Sequence, residues 1–100
     1  MAMPKPVAMP KKVVLSHKPH QKPEANPMDV IISMDDGVKW EYPGNWVVVF
    51  EKESPFHSFN FFPGNDTSGV PKAEAKHNHP YKYTVYIEGD RLDPNVIIRP

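Results

Sequence analysis

The sequence predicts an all-β fold, a small antiparallel β-sandwich preceded by an extended Pro/Lys-rich N-terminal arm. Three observations lead there. Apolar residues recur with the two-residue period of strands, no stretch carries the 3.6-residue period of an amphipathic helix, and turns rich in Pro and Gly separate the apolar runs at short intervals. One hundred residues set the scale at one domain, and eleven aromatic side chains are enough to fill a thin core.

Residues 1–27 hold six of the thirteen prolines, interleaved with Met and Lys. Proline lacks the N–H that ladders and helices need and holds its predecessor extended. This stretch therefore reads as an arm, extended or disordered, in which only KVVLS (Lys12–Ser16) can pair as a strand. The body, residues 28–100, begins with MDVIISM, a β-branched strand ending at the turn Asp35-Asp36-Gly37. Val38, Trp40 and Tyr42 alternate with polar Lys39 and Glu41, as in a half-buried strand, and Pro43-Gly44-Asn45 turns the chain. Trp46–Glu51 is nearly all apolar and predicts a central strand covered on both faces. A turn through Ser54 and Pro55 leads to His57 and a second strand, with Phe56, Phe59, Phe61 and Phe62 supplying core. Residues 70–80 hold no periodic pattern, though PKAEAK has the composition for one helical turn. Tyr81, Tyr83, Val85 and Ile87 alternate with Lys82, Thr84, Tyr86 and Glu88; after the Glu88-Gly89-Asp90 turn, Asn95–Ile98 closes the fold as a last strand.

Charge divides the chain. Five lysines against Glu24 give residues 1–27 a net +4, whereas seven basic and eleven acidic side chains give residues 28–100 a net −4. The balance over the whole chain is zero, so nothing global points to nucleic acid. No apolar run approaches the ~20 residues of a membrane span. No signal-peptide core is visible, so the expected compartment is the cytoplasm unless the chain is already processed. The chain has no cysteine, which removes disulfides, thiolate metal sites and cysteine nucleophiles together.

The order of these motifs resembles that of the plastocyanin-like cupredoxins. Asp35-Asp36-Gly37, Trp40 and Pro43-Gly44, then the strand with Val48 and Phe50, then Pro55-Phe56-His57, then Tyr81-Lys82-Tyr83-Thr84-Val85 follow one another as that family's motifs do. The resemblance covers residues 28–100 and implies a Greek-key sandwich. It also implies a copper centre of two histidines, a cysteine and a methionine, of which only His57 is present. Val85 stands at the cysteine position, Glu88 near the second histidine, and Leu92 or Asp93 near the methionine. Without a thiolate, a type 1 copper site is excluded by composition.

One metal alternative survives. In an extended segment residues i and i+2 point the same way, so His77 and His79 can face one ion, and His57 can join them in a Cu(II) or Zn(II) site of three nitrogens. The competing reading of His57 is a partly buried side chain with one hydrogen bond, and that of His77-Asn78-His79 is a solvated loop. His17-Lys18-Pro19-His20 offers a weaker pair. No nucleophile elbow, P-loop or dinucleotide fingerprint is present, so no enzyme is expected. The expected function is a non-catalytic interaction or assembly module that binds a protein partner, or itself, through the arm, with no cofactor.

Overall fold

The computed structural model describes residues 10–100, which form ten short strands and no helix. In chain order they are β1 (Lys11–Ser16), β2 (Glu24–Asn26), β3 (Asp29–Ile32), β4 (Val38–Glu41), β5 (Val47–Val49), β6 (Asn60–Phe61), β7 (Pro80–Lys82), β8 (Thr84–Ile87), β9 (Asp90–Leu92) and β10 (Asn95–Ile98). Most pairings are antiparallel; β1–β4 and β3–β10 are parallel.

One layer has the order β2-β1-β4 and is extended past β4 by a bridge from Lys39 to Thr67. The other is built on one long hairpin. Its register is unbroken from Ile87↔Asp90 through Val85↔Leu92 to Tyr81↔Val96 and Pro80↔Ile97. The ladder is interrupted at Tyr83 and Thr84, opposite Pro94 and Asp93, although the Tyr83 N–H still reaches Pro94 O at 3.0 Å. There Pro94 has no N–H to offer, so the hairpin bends and its two halves carry β3-β10-β7 and β9-β8-β5-β6.

Alternation along each strand sends one set of side chains between the layers. Val13 and Leu15 of β1 join Val30, Ile32, Val48, Val85, Ile87, Val96 and Ile98 in one buried cluster. At its centre Trp40 meets Phe61 at 4.9 Å and Tyr83 at 5.6 Å between ring centroids, while Phe50 stands edge-on to Phe56 at 5.9 Å. Trp40 Nε1 and Tyr83 Oη are buried there without a hydrogen-bond partner. Burial pushes the Tyr83 phenol well above its ordinary value; the neighbouring Trp40 indole opposes the shift and Asp29 adds to it.

Several expectations change. Residues 1–9 lie outside the described residues, but from Lys11 onward the expected arm is part of the sandwich. The β1 strand lies between β2 and β4, and Val13, Leu15 and Ala25 are buried in the same core cluster as residues of the body. The reason is hydrophobic: KVVLS offers two inward side chains, and the interior of a small domain has no substitute for them. The strand expected to be covered on both faces shortens to Val47–Val49 and leaves Val47 40 % exposed. Phe59 and Phe62 are 47 % and 46 % exposed, because the two-residue strand β6 sends only Phe61 inward. His57 lies in the loop before β6 rather than opening it. PKAEAK makes a single turn, closed by Ala75 N–H to Lys72 O at 3.0 Å, with Pro71 and Pro80 on either side.

Candidate functional site

The three imidazoles singled out for a metal are not assembled. Asn78 adopts a left-handed backbone (φ 56°), which breaks the alternation that would align its neighbours; its N–H donates to Ile98 O at 2.7 Å. His77 is exposed, and His79 packs edge-on to Tyr81 at 4.8 Å with Nε2 3.6 Å from Glu53 Oε2. His57 is exposed in the β5–β6 loop. Among the described residues no group of three or more His, Asp or Glu side chains is placed to hold a metal ion.

The histidine with a built environment is His17, directly after β1. Its Nδ1 lies 2.7 Å from Glu88 Oε2 and its Nε2 lies 2.8 Å from Asp90 Oδ2, while Tyr42 donates to the other Glu88 oxygen at 3.4 Å. Only the imidazolium can donate from both ring nitrogens, so the arrangement favours the charged ring. The hydrogen bonds to Glu88 and then Asp90 raise the His17 pKa above 6.5, against a smaller opposing effect of desolvation. Glu88 and Gly89 both have positive φ (49° and 84°), forming the two-residue turn between β8 and β9. The His17 clamp thus ties the layer of β1 to the turn of the opposite layer.

That turn forms one wall of an open groove of 370 Å³ at the same end of the molecule. Trp46 and Val47 form one part of its lining, after the Pro43-Gly44 turn. Gly44 lets the chain pass close to the Tyr42 ring, which a Cβ would approach to 3.0 Å. Phe62 and Pro63 form another, carried on a tight turn in which the Phe62 and Asn65 amides and carbonyls exchange hydrogen bonds at 2.8 and 3.2 Å. Gly64, at φ 93°, permits that turn. Tyr86 stands opposite Val47 in the β5–β8 ladder, and its hydroxyl donates to Glu51 Oε1 at 2.9 Å. That bond, more than desolvation, raises the Tyr86 pKa. Val47, Phe62 and Tyr86 are 40–46 % exposed and give the groove an apolar floor on the outer face of the sheet.

A second cleft, of 430 Å³, lies where the long hairpin bends. Its lining mixes apolar and charged groups, and some of the polar ones are paired: Thr84 donates to Asp93 at 2.9 Å, Glu51 accepts from Tyr86, and His79 faces Glu53.

Sequence reasoning placed Tyr86 on the polar side of its strand but treated Val47 and Phe62 as core. The signal that separates them is ladder pairing, since Val47 takes the face of Tyr86, and pairing is not written in a single strand. No protein-family model, curated protein or solved structure matches the chain.

Proposed function

We propose that this chain is a non-catalytic β-sandwich module that binds protein through the outer face of β5 and β8, on a cupredoxin-like framework without type 1 copper. The observation that carries the reading is the contiguous exposure of Val47, Phe62 and Tyr86 around one groove. Aromatic and aliphatic side chains held outward on a rigid sheet are the anchors that protein interfaces use. The framework part rests on the motif order. Asp35-Asp36-Gly37 joins β3 to β4, Trp40 lies in β4, Val48 in β5, His57 in the following loop, and Tyr81–Val85 along β7 and β8. Where the family resemblance puts a ligand-bearing loop, this chain has the two-residue Glu88-Gly89 turn, which leaves no length for one.

A photo-crosslinking residue placed at position 47, in cells expressing the full chain, tests the reading. Protein adducts at position 47 that are absent when the same residue replaces exposed Glu74 are the expected result. No adduct at 47, or equal adducts at both positions, would end it.

A further inference from the structure

The cleft of 430 Å³ at the bend of the long hairpin is a gap in a β-ladder. Strand β5 pairs with β8 as far as Val49↔Thr84, and the same register would set Glu51 opposite Lys82. That pair is not made. The chain bends away at Glu51 and Lys52, and β7 is left as an edge strand beside the cleft.

The bonds on the other side of β7 fix the direction of its backbone. Tyr83 N–H donates to Pro94 O at 3.0 Å, while Asn95 N–H donates to Met28 O at 3.0 Å, away from Lys82. Bonding alternates in direction along a strand, so the Lys82 N–H and C=O point away from β10 and toward the cleft. Among the described residues no backbone group outside β7 and β10 is bonded to them.

This slot is blocked at one end, where Val49 holds the next place on the ladder opposite Thr84. At the other end Pro80 has no N–H with which to carry the ladder further. A strand cannot run through such a slot, but the end of a chain can enter it.

Charge selects which end. The carboxylates of the lining already face donors: Glu51 accepts from Tyr86, Asp93 from Thr84, and Glu53 lies 3.6 Å from His79 Nε2. Lys52, Lys82 and Arg91 line the same cleft and are exposed, with no ion-pair partner among the described residues. Arg91 stands opposite Tyr86, beyond Thr84, so its side chain enters the lining from the blocked end. A carboxylate meets these cations and the free amide favourably, whereas the amino end of a chain would be repelled. Three acids offset three bases in the lining, which suits one negative charge on an otherwise neutral ligand.

We propose that the cleft captures the C-terminal end of a peptide. Its last residues add to β7 in parallel through the Lys82 N–H and C=O, and its terminal carboxylate lies toward Arg91 at the blocked end. The site shares no lining residue with the Trp46–Phe62–Tyr86 groove and so adds a second binding site to the module reading.

The test titrates N-acetyl-dialanine, its C-terminal amide and sodium acetate separately into the isotopically labelled full chain, read by amide NMR. A ligand of this size binds at about 1 mM. The free acid should shift the Lys52, Lys82 and Arg91 amides saturably and move the Lys82 amide proton downfield as it gains a hydrogen bond. The amide form should bind at least about tenfold more weakly, and Arg91→Gln should weaken binding of the acid about three- to tenfold. Arg91 is exposed, so this variant retains the core; circular dichroism confirms it. No saturable shift by about 10 mM acid would overturn the proposal. Equal binding of acid and amide, acetate alone shifting the same amides as strongly, or Arg91→Gln binding as the native chain does would overturn it too.

Discussion

His17 Nδ1 lies 2.7 Å from Glu88 Oε2, although 71 residues separate the two in sequence. With Asp90 on the other ring nitrogen, one imidazole joins the end of the first strand to the two-residue turn between β8 and β9. The side chain is only 10 % exposed, while both carboxylates are more than half exposed.

His17 therefore titrates above 6.5. A base whose pKa is raised by folding adds stability that is fully present below its unfolded value and is lost as pH rises through its folded value. The stability advantage of the native chain over His17→Gln should accordingly shrink as pH climbs above about 6.5, the ordinary histidine value. Histidine NMR titration checks this, and Glu88→Gln should lower the His17 midpoint more than Asp90→Asn does. A His17 midpoint at or below 6.5 would contradict the clamp.

Tyr83→Phe should leave stability unchanged or raise it by up to about 1 kcal/mol. Its hydroxyl is buried with only the Trp40 indole beside it and no well-formed hydrogen bond, so the native chain bears a desolvation cost that phenylalanine removes. Urea denaturation of the two proteins measures the difference. A loss beyond about 1 kcal/mol would mean that the hydroxyl is bonded in solution.

Leu15→Ala should cost about 3 kcal/mol, because Leu15 is 2 % exposed within the central cluster. The measurement separates two pictures of the N-terminal region. If residues 11–16 were a detachable arm, truncating Leu15 would leave the unfolding midpoint of the body where it was. In the sandwich seen here the whole cooperative transition moves to lower denaturant.

Gly37→Ala should destabilise by about 1–3 kcal/mol. An added Cβ would lie 2.7 Å from Gly69 O, a backbone atom that cannot swing aside, and Gly37 O accepts the Lys11 N–H that starts β1. Thermal unfolding monitored by tryptophan fluorescence reports the shift; an unchanged midpoint would show that the Ser68-Gly69 segment yields without cost.

Much of the strand pattern was legible because it depends on near neighbours. Asp35-Asp36-Gly37 and Glu88-Gly89 mark turns through the backbone freedom of the residues themselves. Tyr81, Tyr83, Val85 and Ile87 mark an inward face through strict alternation, and all four are buried. The candidate metal site was not legible in the same way. Its premise was an extended backbone through Asn78, and the left-handed turn there answers to a hydrogen bond with Ile98 that local sequence does not announce.

By itself the sequence determined the all-β class, the principal turns, and the exclusion of thiolate copper chemistry. These follow from residue types and short-range periodicity. Tertiary structure alone decided that KVVLS completes the core, that Val47 and Phe62 face outward beside Tyr86, and that His17 rather than His57 holds a defined electrostatic site. Each of these depends on which strands lie side by side. A parallel pairing of β1 with β4, or a contact across 71 residues, is chosen by burial summed over the whole chain, not by any segment of it.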